Sequence, residues 1–476
     1  MEKATSATCL ERRPSSRLSF FCMLALAALT LAPLVRAQQA QEIRQILERL
    51  DRLEQQNAEL RSEVLDLRKQ LAVAGAPEAP SSEAVEKLAE TVAVQSARIE
   101  EQAQSKVESR QRFPIRITGM ALFNAYTNSH SEGAYSSPIA TSDASARAAG
   151  GTLSQSILGL EFFGPGTFLG GKISGNILMD FYPYTTAYEQ APPTGFTDRG
   201  LPLHLRTGGM TIDWGSRSLM VGVDKPLISA RNPDSLAQVG LPPLSGAGNL
   251  WEWQPQVRVE QNFRISPGNT VTAQAALYST RETNTQLPGH PDATIEPTRP
   301  GWEGRVQFAH TKGDEPFVEL APGFHYSVSH AAYYSVPSQI VSLDGLLRPV
   351  RFLELTGTFF AGQNVAGLGG LGPGFRVESD GAGDAYAVHS RGGWLQLALF
   401  PTQRLSFHFF GGTQINRRTD LAGYYPQSNI SFAGNAYYQL APNVFLAFEA
   451  AQTRTTWTNG VTHLRNHYDL ALAYKF

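Results

Sequence analysis

Past residue 22 the chain has no cysteine; Cys9 and Cys22 are the only two in 476 residues. A disulfide framework and a thiolate metal site are thereby excluded for nearly the whole length. Beyond residue 35 no apolar run is long enough for a transmembrane helix, and the mean hydropathy is −0.22. Charge is scarce, at 17% of residues, and the net charge of −2 leaves no basic surplus of the kind a nucleic-acid partner needs. Enzyme signatures are missing too. His325, His330, His408, His463 and His467 fall on different strands or loops without metal-ligand spacing. The stretch Gly367 to Gly374 lacks the Lys-Ser/Thr of a phosphate loop. No catalytic residue, metal or cofactor is expected.

What is present begins with a secretory signal. Lys3, Arg12, Arg13 and Arg17 form a basic stretch, Leu18 to Ala32 an apolar one, and Val35-Arg36-Ala37 offers a cleavage site, giving a signal peptide over 1–37. Cys22 is preceded by Ser19-Phe20-Phe21 where a lipidation signal wants small residues, which argues against a lipid anchor there. Residues 1–37 carry five Lys/Arg and two Asp/Glu, so their removal takes the net charge from −2 to −5.

Residues 38–74 read as a coiled coil. Position a takes Ile43, Leu50, Asn57, Val64 and Leu71, and position d takes Ile46, Leu53, Leu60, Leu67 and Ala74. So narrow a seam suits a self-associating helix. Arg49 at g faces Glu54 at e of a parallel neighbour, and Glu63 faces Arg68; Asn57 weakens the core but fixes register. Gly75 to Ser82 breaks the helix, and 75–112 is a linker with a second, weaker helical segment.

From residue 113 to 476 the texture changes to alternating stretches between Gly, Pro and Asn turns. Sixteen strands are predicted, at 113–126, 154–163, 168–182, 201–214, 218–225, 251–264, 269–280, 302–311, 316–330, 337–347, 351–364, 385–400, 404–416, 427–440, 443–457 and 461–476. Every second connection is tight, among them Gly164 to Thr167, Gly215 to Arg217, Ser266 to Gly268, Lys312 to Glu315 and Arg348 to Val350. Most connections between these are long, such as 127–153, 183–200, 226–250, 281–300 and 365–384. Short turns on one side and long loops on the other are the habit of outer-membrane barrels.

The faces agree. In the last strand Tyr468, Leu470, Leu472, Tyr474 and Phe476 oppose Arg465, His467, Asp469 and Lys475. One apolar face for lipid and one polar face for water is a membrane barrel. Strand parity points Arg116, His204, Arg206, Arg258 and Arg305 inward, together with Glu161, Glu252, Glu260, Glu303 and Glu354. Charge of both signs is interleaved there, so each residue serves equally as a wall brace or a solute contact. Trp214, Phe400, Tyr474 and Phe476 on the turn side and Tyr126 and Trp457 on the loop side suggest two interfacial girdles.

The ending Tyr474-Lys475-Phe476 resembles the terminal signal read by outer-membrane assembly machinery. Sixteen strands with a long loop after the fifth look like the layout of trimeric porins. A signal peptide, a coiled coil and then such a barrel is similar to the DcaP-like porins, with phosphate-selective porins as more distant relatives. The resemblance implies an all-β transmembrane protein of the outer membrane: a sixteen-stranded antiparallel barrel preceded by an α-helical coiled coil in the periplasm. It also implies a third loop, 226–250, folded into the barrel as a constriction, with Arg231, Asp234 and Gln238 as its polar groups; the alternative is an external loop that closes over the mouth or meets a neighbouring subunit. The expected partners are the lipid bilayer and lipopolysaccharide, the assembly machinery, further copies in a homotrimer and small hydrophilic solutes. Asn57 at position a leans instead toward two strands. Three functions stay open: a passive porin, a channel selective for phosphate or organic acid anions, and a structural tether using the coil.

Overall fold

The computed structural model describes residues 115–131, 139–142, 146–182, 203–279, 300–313, 315–331, 334–377 and 385–476. The expected signal peptide (1–37), coiled coil (38–74) and second helical segment (75–112) lie outside the described residues.

Strands form where the sequence alternates, and they close on themselves. In chain order they are β1 (Ile115–Ser131), β2 in two halves (Ala146–Thr152 and Ile157–Phe168), β3 (Gly171–Asp180), β4 (His204–Asp213) and β5 (Arg217–Asp224). Then come β6 (Gln254–Ser266), β7 (Asn269–Tyr278), β8 (Gly301–Lys312), β9 (Glu315–Ala331), β10 (Tyr334–Val350) and β11 (Leu353–Gln363). β12 (His389–Leu399), β13 (Leu405–Asn416), β14 (Pro426–Ala441), β15 (Val444–Trp457) and β16 (Thr462–Lys475) complete the wall. Each is antiparallel to its neighbours in chain order, and β16 returns to β1 from Met120 opposite Lys475 to Asn128 opposite His467. Closure at sixteen staves removes every sheet edge, which is what a β structure in lipid requires.

All sixteen expected strands are found, with three local differences. The second begins earlier, because 146–152 also pairs with β1 above a break at 153–156. The Ser156 hydroxyl patches that break, accepting from the Leu122 N–H at 3.0 Å and donating to the Leu122 carbonyl at 3.2 Å. Gly164 to Thr167 is not the turn; an irregular register between Phe163 and Thr167 absorbs it, and the chain reverses at Leu169 and Gly170 (φ 50° and 79°). Likewise Arg348 to Val350 stays within β10, with Pro349 at a register shift where no ladder N–H is missed.

The two faces of the wall are distinct. Val341, Phe359, Leu395, Phe409, Phe432, Phe448 and Leu470 are exposed, while Asp344, Thr358, Gln396, His408, Ser431, Glu449 and Asp469 beside them are buried. In a closed barrel the covered, polar face is the inside. Tyr126 belongs to that inside face, stacked on His467 with centroids 6.4 Å apart, and so is not a girdle residue. Trp457 does sit at the loop end, stacked on Tyr424 at 4.4 Å.

The last residue completes the seam. Phe476 accepts from the Gly119 N–H at 2.9 Å and donates to the Gly119 carbonyl at 3.1 Å, and its ring lies over that glycine. A Cβ at Gly119 would stand 2.5 Å from the Ile157 carbonyl oxygen and 2.7 Å from the ring. Gly119→Val is expected to cost about 1–3 kcal/mol through overpacking. The readout is a lower temperature for loss of the compact, heat-modifiable band on gel electrophoresis.

Candidate pore constriction

The segment between β5 and β6 starts and ends at the loop end of adjacent staves, yet its residues meet inward side chains around most of the wall. Its apolar residues explain why. Leu227, Ile228, Leu236, Leu241, Leu244 and Leu250 are all buried, each worth about 1.5–3 kcal/mol when removed from water. The wall makes room for them with small residues. Leu236 packs with Met120, Leu122, Ala447, Ala471 and Ala473. Leu244 and Ala247 pack with Trp394, Phe410, Ala433 and Ala451. Ile228 and Leu250 join Tyr278, Ile340 and Phe360, together with Val365 and Leu368 of the connection after β11.

Polar contacts fix the path stave by stave. The Leu227 N–H donates to Glu303 on β8, a carboxylate that also meets the His325 ring at 2.9 Å. The Arg231 guanidinium reaches Glu319 on β9 and, at 3.4 Å, Asp344 on β10. The Asp234 N–H donates to Gln396 at 2.6 Å, the Gln396 amide returns a bond to the Asp234 carboxylate at 2.7 Å, and Asn435 donates to the Asp234 carbonyl at 2.8 Å. Ser235 donates to Glu449 at 2.6 Å, and Asn124 donates to the Leu236 carbonyl at 2.8 Å. Gln155, in the break of β2, accepts from the N–H groups of Val239 and Gly240 at 2.7 and 2.9 Å. Asn429 donates to the Gly246 carbonyl at 3.3 Å on the way back. The segment therefore lies across the lumen, and Ala230 and Asp234 remain exposed on it.

The charged residues fall into two groups. One is held between the segment and β8 to β10: Arg305 grips Asp344 with two bonds of 2.7 and 2.8 Å and also donates to Gln274 and Gln307 at 2.8 Å. Arg305 and Asp344 are 4% and 1% exposed, whereas Arg231 and Glu319 are 21% and 19% exposed and so meet the water of the lumen. The other lies where the segment leaves β5. Arg258 meets Asp224 at 2.7 Å, and Arg206 meets Asp180 at 2.9 Å while its guanidinium stacks over Trp253. Lys225 donates to the Ala230 carbonyl at 3.0 Å. Burial pulls the Lys225 ammonium below its ordinary pKa; Asp224 opposes this, and the charges of Arg231 and Arg258 add to it. Glu260 is half-buried and accepts from Gln274 at 2.7 Å. Truncating one partner of the buried pair, as in Asp344→Ala, is expected to cost about 3–5 kcal/mol of stability, because Arg305 is left uncompensated; urea unfolding of the detergent-solubilised barrel reads it.

Not every residue expected in this region is brought to it. Arg116 is 64% exposed and pairs with Glu161 at the turn end, away from the segment. Glu354 pairs with Arg348, again at the turn end. Glu252 precedes β6 rather than lying on it, its N–H bonded to the Leu368 carbonyl at 3.2 Å, so strand parity does not apply to it. Parity missed Glu319 and Asp344, although Glu319 lies opposite Leu346 and Asp344 alternates with the outward Val341 and Leu343. Two further connections also turn inward. Leu371 exchanges bonds with Gln414, and Ala140 and Thr141 carbonyls accept from Arg465 and Trp457. Among the described residues no group of three or more His, Cys, Asp or Glu is placed to hold a metal ion.

No protein-family model and no curated protein matches the sequence. Solved structures do match in shape. The outer membrane channel DcaP of Acinetobacter baumannii superposes with a TM-score of 0.61 at 14% identity, over 76% of this chain and 97% of that one. An anion-selective porin from Comamonas acidovorans gives a TM-score of 0.50 at 9% identity, over 76% of this chain and 99% of that one. At these identities the likeness speaks to architecture, and with the closed wall and the inward segment it shows that the chain has the sixteen-stranded fold of outer-membrane porins.

Proposed function

We propose that the protein is an outer-membrane porin, a passive, water-filled pore for small hydrophilic solutes, narrowed by the segment between β5 and β6. The observation that carries the reading is the course of that segment across the lumen, with Arg231, Asp234 and Glu319 left in contact with water. Arg206, Arg258, Arg305, Glu260 and Glu303 act in this reading as the charged wall around it, while Arg116 and Glu252 stand apart from it. Residues 38–74 stand in the periplasm as an oligomerisation coil, and three copies assemble, as the barrel layout implies. Phe476 is the assembly signal. Proteoliposomes swollen in sugars of increasing mass test the pore: swelling that falls steeply with solute size is expected, and none with the smallest sugar would count against it.

Two observations favour a preference for anions. The charges of Arg231 and Arg258 both act on the Lys225 ammonium, with Asp224 opposing them, and the Comamonas porin of similar fold is anion-selective. The sign of its pH dependence follows from Lys225. Below its lowered pKa the ammonium adds a positive charge at the pore; as pH rises through that value the charge is lost. Zero-current potentials in a salt gradient are expected to shift away from anion preference with rising pH, and Lys225→Met is expected to abolish the shift.

A further inference from the structure

Around the loop end of β10 to β13, the outer face carries a feature that a lipid-facing wall does not need. A cleft of about 640 Å³ opens there, walled by Gln339, Gln363, His389, Arg391 and Arg417, with Ala361 and Ile415 as its apolar floor. The parity is outward. On β12, Arg391 shares its face with the exposed Leu395, while Ser390 and Trp394, of the opposite parity, are buried. On β13, Arg417 continues the face of Phe409 and Ile415, which are 50% and 37% exposed. The small Ala361 opposite Arg391 leaves the space open.

Among the described residues the charge in the cleft is not balanced. Arg391 has no hydrogen bond or ion pair from its side chain among the described residues. Among the described residues Asp420 is the carboxylate beside these arginines, and it is occupied: the His389 N–H and ring Nδ1 reach it at 3.0 and 2.8 Å, while the Arg417 Nε stands 4.0 Å away. Partial burial would raise the Asp420 carboxyl, but the hydrogen bonds from His389 and the charges of His389 and Arg417 outweigh it and hold it below the ordinary range. Two arginines thus face one carboxylate, at the upper edge of a strip formed by Val341, Leu343, Phe359, Leu395 and Phe409, all more than 40% exposed. In hydrocarbon an uncompensated guanidinium is costly, so Arg391 needs an anionic partner at the membrane surface.

We propose that this cleft binds the phosphate of a phosphorylated glycolipid in the external leaflet, the headgroup chemistry of lipopolysaccharide, with the acyl chains lying down the apolar strip. The proposal rests on the membrane orientation of the porin reading, in which long loops face outward. A guanidinium donates two parallel bonds to a phosphate, the geometry such oxygens favour, and the Gln339 and Gln363 amides at the rim suit sugar hydroxyls.

Native mass spectrometry of the full chain in detergent, titrated with bis-phosphorylated lipid A, tests it. The wild type is expected to retain lipid A, and Arg391→Gln/Arg417→Gln to weaken retention about tenfold or more, since two charge-assisted contacts are lost. Arg454→Gln, another exposed arginine on the outer wall of β15, is expected to change nothing. Single-channel conductance of the double variant should equal that of the wild type, which separates this site from the pore and shows the variant is folded. Equal retention by wild type and double variant would overturn the proposal. So would equal retention of dephosphorylated lipid A, which would leave only the apolar strip. Competition by inorganic phosphate alone at similar concentration would make it a free-anion site. A change of oligomeric state in place of lipid loss would make it a subunit contact.

Discussion

Replacing residues 230–247 with a short Gly-Ser linker is expected to raise single-channel conductance by about threefold and to flatten the dependence of permeation on solute size. The wall holds itself together without this segment, since each stave is paired on both sides, and a sixteen-stranded barrel is wide enough for an aqueous channel. What the segment supplies is obstruction. Removing it uncovers Leu122, Trp394 and Phe410 to the lumen, so some stability is lost, but the hydrogen-bonded cylinder remains. Planar-bilayer recordings before and after the replacement give the ratio. An unchanged conductance would mean that the narrowest point lies elsewhere, for example in the inward connection after β11.

Arg231→Ala/Arg258→Ala is expected to move the anion-to-cation permeability ratio about tenfold toward cations at low salt. A unit charge ~7 Å from a permeating ion in water contributes about 0.6 kcal/mol with opposite sign for anion and cation, so each charge moves the ratio by up to about sevenfold and two, partly screened, by about tenfold or more. The direction follows from what stays behind. Glu319 keeps only the Gln307 amide at 2.9 Å, and Asp224 loses its arginine. Asp344 remains gripped by Arg305. Screening weakens the effect as ionic strength rises through ~0.1 M, where the Debye length is about 10 Å. Zero-current potentials in a salt gradient measure it. If the ratio is the same in 20 mM and 1 M salt, the arginines are bracing the wall rather than acting on ions.

The wall was legible in the sequence because two independent signals agreed. Alternation placed Leu470 and Leu472 against His467 and Asp469, and the alternation of tight turns with long connections set the count at sixteen. Position by position the turns were less secure. Gly164-Pro165-Gly166 has turn chemistry, but a bulge can absorb the same residues within a strand, and the ladder around them decides. Tyr126 shows a related limit: its place near a strand end suited a girdle, while parity with the buried Asn124 turns it inward.

The candidate site was legible only in part. Arg231 and Asp234 could be singled out because polar groups in a long, otherwise apolar segment need partners. Which partners they find is a matter of closure in three dimensions. Glu319 and Asp344 are 88 and 113 residues from Arg231, and no local pattern links them. Gln155 is more hidden still, since the break that turns it inward is defined by β1 pairing with both halves of one stave. The alanines at 433, 447, 451, 471 and 473 look like weak strand formers when read alone; against Leu236, Leu244 and Ala247 they are the space the segment occupies.

The most direct test of an aqueous pore is the current through single copies of the purified full-length protein in a planar bilayer. The account predicts discrete, stepwise increases on insertion, each ohmic and proportional to bulk salt conductivity at high ionic strength. A bilayer that accepts the folded protein and shows no steps under any voltage or salt would contradict it, leaving a closed barrel whose inward segments seal the lumen.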